Sequence, residues 1–164
     1  MSHNIKSIEV VVGVISNDNN EIFITRRQIN QFMSGYWELP GGKVENDESH
    51  SIAINRELSE ETGVTVINHH LIQTIEHHYP QKIINLSVFS IDKYEGTPLG
   101  NEGQEFSWCS VEKLKDYNLL PTMWKIIHRI SLPKHYCITP YEHDSDSVID
   151  LCNQHLRDGI KIIQ

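Results

Sequence analysis

Residues 42–64 read GKVENDESHSIAINRELSEETGV, and the placing of charge in this stretch decides how the rest of the chain is read. Its second half crowds Glu57, Glu60 and Glu61 into five positions. On a helix the spacing i, i+3, i+4 puts all three carboxylates on one face. Such crowding costs about a few tenths of a kcal/mol per pair unless something positive sits between them. A helix over about residues 48–62 is expected here, with Asn46 or Asp47 as N-cap and Gly63 as its stop. Ile52, Ile54 and Leu58 would give it a partial apolar stripe.

Upstream, residues 5–16 (IKSIEVVVGVIS) are β-branched and predict a strand. NDNNE (17–21) is turn chemistry and IFITRR (22–27) a second strand, so the pair reads as a hairpin. YWELPGG (36–42) is a short strand stopped by Pro40, Gly41 and Gly42. Downstream, Val64–Val66 continues as strand, and 71–79 and 82–91 predict two more around Pro80-Gln81. A Gly-rich loop (94–104), a strand (105–110), a short helical start (VEKLKDY) and a helix over 119–130 follow. This mixed order predicts an α+β fold or an α/β/α sandwich. Residues 132–164 are set apart as a βαβ-like extension: a strand at 135–139, a helix at 146–158 and a strand at 159–164.

The chain has 164 residues, enough for one medium domain, or a domain plus a fragment, with a real core and no disulfide staples. Fourteen Lys+Arg against 22 Asp+Glu give a formal charge of −8. That argues against polymeric nucleic acid as a partner. A small phosphorylated ligand stays open, because metal ions can supply the missing charge. MSHNIKS lacks the apolar centre of a signal peptide, and no apolar run reaches the roughly 18 residues of a membrane span. Cys109, Cys137 and Cys152 are not in CxxC spacing and read as free thiols of a cytoplasmic protein. The pairs His69-His70 and His77-His78 read as strand and surface packing, since neighbours on a strand face opposite ways. GGK at 41–43 is no phosphate-binding P-loop, because Trp37 and Val44 occupy positions that need Gly and Ser or Thr.

From Gly42 the spacing is G-x5-E-x7-R-E-U-x-E-E-x-G-U, where U is a bulky aliphatic. A solvated acidic helix face would explain three glutamates. It would not explain Gly42, Glu48, Arg56 and Gly63 in register with them. The pattern resembles the signature of the Nudix hydrolases, with nine specified positions met over 23 residues. The chemistry agrees: carboxylate oxygens are the hard ligands that Mg²⁺ and Mn²⁺ prefer, and such ions would remove the repulsion.

The resemblance implies a Nudix fold with a mixed sheet, a Mg²⁺ cofactor (Mn²⁺ being the other admissible ion), and a metal site of Glu57, Glu60, Glu61 and the Gly41 carbonyl. Arg56 would hold the carboxylates, and Glu57 would be the first choice of general base, with Glu102 the runner-up. GVISNDNNEIFITRR, ELPGGK and EGTPLGNEGQEFSW look like the MutT branch, so the likeness spans about residues 5–130. It carries Glu102 to the metal site and Arg27, Glu38 and Lys82 to the substrate. Where that branch has a base-reading asparagine in a P-x-N run, this chain has Met123 in LPTMW. A thioether cannot donate a hydrogen bond to a base edge as an amide can. Met123 can only pack there, which puts 8-oxoguanine recognition in question. Trp37 or Trp124 could stack on a base, though each reads more readily as core or loop packing.

The implied reaction is hydrolysis of a purine nucleoside triphosphate, favouring oxidised ones, to the monophosphate and pyrophosphate, with water attacking the β-phosphorus. The protein would be a monomer or homodimer with a small nucleotide as its partner. Two alternatives remain: the same chemistry on a nucleotide sugar or a thiamine-linked diphosphate, or a non-catalytic Nudix sensor. Sensors of that kind usually lack motif glutamates, and here all are present. LPKHYCITP and DGIKIIQ resemble the opening of the thiamine-phosphate-synthase-like barrels, but a (β/α)₈ barrel takes about 250 residues, or about 200 at least. The likeness therefore brings no barrel activity with it.

Overall fold

The computed structural model describes residues 6–132, 138 and 144–158. The chain divides into two compact units, Met1–Ile127 and His128–Gln164.

The first unit is organised by β1 (Lys6–Ile15), whose last five residues are buried. β1 pairs parallel with β6 (Lys82–Glu95) and antiparallel with β4 (Gly41–Lys43), and β5 (Thr65–Tyr79) closes the far edge antiparallel to β6. A smaller antiparallel sheet orders β3 (Trp37–Glu38), β2 (Glu21–Arg26) and β7 (Phe106–Ser110). Side chains alternate across β1. Val11 and Ile15 face α1 (His50–Thr62) and cluster with Phe23, Ala53, Ile54, Leu58, Phe89 and Ile91. Ile8, Val10 and Val12 face the other way, towards α2 (Pro121–Ser131), where they share a cleft with Met123 and Ile126. Each fully buried Leu or Ile contributes on the order of 1.5–3 kcal/mol, so α1 is fixed on its sheet chiefly by Ile54 and Leu58. The mixed sheet and its helices make the α+β fold that the sequence predicts.

Several expectations need correction. β1 and β2 do not form a hairpin. Both edges of β1 are already taken, so Asn17–Asn20 turns the chain into the second sheet and leaves only the bridge Ser16–Ile22. Asn17 Oδ1 fixes that turn by accepting from the Asn19 and Glu21 amides, each at 3.0 Å. The two strands expected at 64–66 and 71–79 are one strand of 15 residues, interrupted by register shifts near Val66, Asn68 and Leu71. Each shift swaps the faces and breaks the alternation that would mark a single strand. The N-cap of α1 is Ser49, whose Oγ accepts from the Ile52 amide at 3.3 Å, not Asn46 or Asp47. Ile52 is exposed, and Ala53 takes its expected place in the core. VEKLKD forms a 3-10 helix, Val111–Asp116.

The second unit contains α3 (Ser145–Arg157), capped by Asp144, close to the helix expected at 146–158. Of the strand expected at 135–139 only Ile138 is described, exposed and outside any strand. The strand expected at 159–164 lies outside the described residues. No helix among the described residues is long and apolar enough to cross a membrane.

Candidate active site

Arg56 organises the acidic face of α1. Its Nε and Nη2 grip both oxygens of Glu48 at 2.9 and 2.8 Å, a two-pronged arrangement that only a guanidinium makes. Nη1 reaches Glu57 at 2.8 Å and Glu60 at 3.2 Å, and Nη2 also donates to the Lys43 carbonyl at 3.1 Å. One cation thus answers much of the repulsion inherent in the sequence. Hydrogen bonding to Arg56 holds the Glu48 carboxyl down at about 2. Glu57 titrates above the ordinary carboxylate range because burial outweighs its pairing with Arg56.

β4 meets α1 at two glycines, and each is required for a different reason. Gly41 has φ +143°, and a Cβ there would strike the Val11 carbonyl on β1. Its amide donates to Glu61 Oε2 at 2.9 Å. Gly42 lies flat against the Glu57 carboxylate, with no room for a Cβ. The two glycines let the strand approach the helix closely enough to bring Glu57 and Glu61 to one edge of the cleft.

The loop Leu99–Gln104 closes the far end of α1. Helix C-termini leave carbonyls without intrahelical partners. Here Asn101 Nδ2 takes the Glu60 carbonyl at 2.9 Å, the Asn101 amide and Gln104 Nε2 take that of Glu61 at 2.9 Å each, and the Leu99 amide takes that of Thr62 at 3.1 Å. Gln104 Oε1 accepts from the Glu102 amide at 2.9 Å, so the residue that caps the helix also places Glu102. Glu102 shares a small recess with Glu38 and Glu61. Burial, together with the nearby charges of Glu38, Glu57 and Glu102, pushes the Glu61 carboxyl up to about 8.

The cleft beside these groups has a volume of about 530 Å³. At its acidic end are Glu57, Glu61, Gly41 and Gly42. Its apolar walls are Ile8, Val10, Ile84, Leu120, Met123 and Ile126. Arg27 donates to both oxygens of Glu38 at 2.6 Å and to the Phe32 carbonyl at 2.6 Å, so it is held against the wall. Burial raises the Glu38 carboxyl, with Arg27 opposing. Lys82 Nζ sits 4.5 Å from the Phe32 ring and 5.7 Å from Tyr79.

Of the residues proposed from sequence, Arg27, Glu38, Gly41, Glu57, Glu61, Lys82 and Met123 line this cleft, and Glu102 joins through the recess. Arg56 and Glu60 line neither. Arg56 acts from behind the carboxylates, and the Glu60 side chain is 54% exposed. Trp37 packs edge-on to Tyr117 and Trp124 is half exposed, neither in the cleft. The paired histidines are occupied on the surface: His69 stacks on Phe89, His70 pairs with Asp92, and His78 with Glu76. Phe32, Tyr79, Gln104 and Thr122 were not predicted. Nothing local distinguishes them, because their roles depend on strands and loops distant in sequence.

Among the described residues, no three carboxylate, histidine or cysteine side chains converge on one point. The donor set nevertheless fits a hard divalent ion. It is all oxygen, and a bound cation would stabilise the charged form of Glu61, which burial first and then Glu38, Glu57 and Glu102 disfavour.

Residues 7–130 match the NUDIX domain family, and the chain belongs to it. Within that family the relatives point to the MutT branch. The 8-oxo-dGTP diphosphatase of Escherichia coli (strain K12) is 38% identical over 125 residues, covering 76% of this chain and 97% of the relative. The CTP pyrophosphohydrolase of the same organism is 35% identical over 116 residues, covering 71% and 85%. The crystal structure of the MutT protein from Methanosarcina mazei Go1 superposes with a TM-score of 0.70 at 31% identity, covering 78% of this chain and 95% of the other.

Proposed function

We propose that this chain is a divalent-metal-dependent pyrophosphohydrolase of MutT type, acting on purine nucleoside triphosphates and favouring oxidised ones such as 8-oxo-dGTP. The observation that carries this reading is the division of the cleft, with carboxylates crowded at one end and apolar walls at the other. A triphosphate with its cation suits the first, and a nucleobase the second. The 38% identity to an 8-oxo-dGTP diphosphatase supports the choice of substrate.

Glu57, Glu61, Glu102 and the Gly41 carbonyl would hold the ion, with Glu60 joining at the exposed margin. Mg²⁺ is the expected ion and Mn²⁺ its substitute. When bound, the ion neutralises phosphate charge and lowers the pKa of water. Arg56 keeps Glu57 and Glu48 in place. Glu57 is the first candidate to take a proton from the attacking water, and Glu102 the second. Water oxygen bonds to the β-phosphorus, and the bond from that phosphorus to the bridging oxygen of the α-phosphate breaks. The products are nucleoside monophosphate and pyrophosphate. Arg27 and Lys82 lie along the wall that the nucleotide would occupy.

A second reading has one observation in its favour. Met123 stands where a base-reading asparagine would be, and a relative of 35% identity is a CTP pyrophosphohydrolase. A pyrimidine triphosphate is then the substrate. The test is kcat/KM with Mg²⁺ on 8-oxo-dGTP, dGTP, dATP, CTP and a nucleotide sugar, with product identification. Preference for 8-oxo-dGTP with release of pyrophosphate supports the first reading. Preference for CTP replaces it with the second.

A further inference from the structure

The apolar end of the cleft contains a polar group with no partner. Thr122 follows Pro121 in the first turn of α2 and is 7% exposed. It lines the cleft beside Leu120, Met123 and Ile126. Its hydroxyl is not bonded by any described residue and is not sealed in the core, so the oxygen opens onto the cleft. The hydroxyls of two other buried residues are bonded: Thr62 Oγ1 donates to the Leu58 carbonyl at 2.5 Å, and Ser87 Oγ meets His50 Nδ1 at 3.0 Å. Thr25, also buried, borders the acidic recess instead. A hydroxyl that no protein group occupies and that opens onto a binding cleft is free to bond a ligand.

The acidic end fixes where the phosphates lie, so the base lies towards Leu120, Met123 and Ile126. Those side chains can cover the faces of a base and cannot bond its edge. Met123 is 2% exposed, and its sulfur is at best a weak acceptor. We propose that Thr122 is the residue that hydrogen-bonds the edge of the substrate's base. This rests on the nucleotide reading above. A hydroxyl is a rotor that donates or accepts as needed. It can donate to the N7 or O6 acceptor of guanine, and it can accept from the N7–H that oxidation at C8 creates. Thr122 therefore contributes affinity for oxidised and ordinary purines alike and does not choose between them.

The test compares wild type, Thr122→Val and Thr122→Ser on 8-oxo-dGTP and dGTP, with inorganic triphosphate as a competitive inhibitor. Thr122→Val keeps the shape and removes the hydroxyl. It is expected to raise KM for both nucleotides by roughly three- to tenfold, with kcat within about twofold and the triphosphate Ki unchanged. Thr122→Ser restores KM to within about twofold. Unchanged KM in Thr122→Val overturns the inference. So does an equal rise in the triphosphate Ki, which would mark a general distortion of the cleft. Should Thr122→Val not fold, Thr122→Ala serves the same comparison. A wild type that turns over no nucleoside triphosphate overturns the functional reading and this inference together. An active wild type with an indifferent Thr122→Val overturns this inference alone.

Discussion

Gly42→Ala separates stability from activity at this site. A Cβ at 42 would lie 2.5 Å from the Glu57 carboxyl carbon and closer still to one of its oxygens. Nothing nearer than about 3 Å is tolerated, so the carboxylate has to swing aside. The obstacle is the end of a flexible side chain, and the backbone can stay where it is. The swing breaks one Arg56–Glu57 hydrogen bond of 2.8 Å. A charge-assisted bond of that kind is worth about 1.5–3 kcal/mol. Against that, alanine stiffens the unfolded chain and returns about 0.4–1 kcal/mol. The net loss is on the order of 1–2 kcal/mol, which a small domain survives.

Activity responds differently. A misplacement of about 1 Å in a reacting group can cost on the order of a hundredfold, and clearing the Cβ displaces the Glu57 carboxylate by a large fraction of that. The variant should fold, unfold in urea at a modestly lower midpoint, and show kcat reduced by roughly ten- to a hundredfold at saturating Mg²⁺ and substrate. Gly41→Ala is the control. Its Cβ meets the backbone of β1 at φ +143°, and a strand cannot step aside as a side chain can. Strain and overpacking together should cost about 3 kcal/mol or more. If Gly42→Ala keeps wild-type kcat, Glu57 does not act from its place against β4, and the reasoning fails.

Three further outcomes are expected. In the metal-free protein the Glu61 carboxyl sits near 8 while the unfolded chain titrates near the ordinary 4.5. Between those values the native state holds a proton that the unfolded state has released, so stability falls as pH rises through that window. Glu61→Gln should flatten the decline in melting temperature measured in EDTA, and divalent-ion binding by the wild type at pH 7 should release about one proton, read by calorimetry in buffers of different ionisation enthalpy. Gln104→Ala loosens both Glu102 and the end of α1, so kcat should drop roughly tenfold while urea stability changes by about 1 kcal/mol, the worth of a neutral hydrogen bond or two. Met123→Asn places an amide at the apolar end, and should raise the purine-over-pyrimidine ratio of kcat/KM by about tenfold while lowering stability in the absence of nucleotide.

What the sequence made legible, and what it hid, follows from the distance over which each feature is determined. The acidic face of α1 could be read directly, because helical geometry converts a spacing of three or four into a shared surface. Gly63 was legible for the same local reason, as the residue that ends the helix. The glycines at 41 and 42 were visible as a pattern, but their cause was not: one yields to Val11 and the other to Glu57, and neither partner is near in sequence. The long strand β5 escaped because its bulges reset the alternation that identifies a strand. Ser49 escaped as a cap because Asn46 and Asp47 have the same chemistry, and only the backbone decides among them. At the base end the single-sequence reading pointed to Met123, the residue that departs from the expected asparagine. The structure adds that the adjacent side chain, Thr122, has a hydroxyl that no described residue bonds and that opens onto the cleft. On the proposal made above, the base edge would be met from Thr122 where Met123 cannot meet it, by a hydroxyl rotor that serves as donor or acceptor.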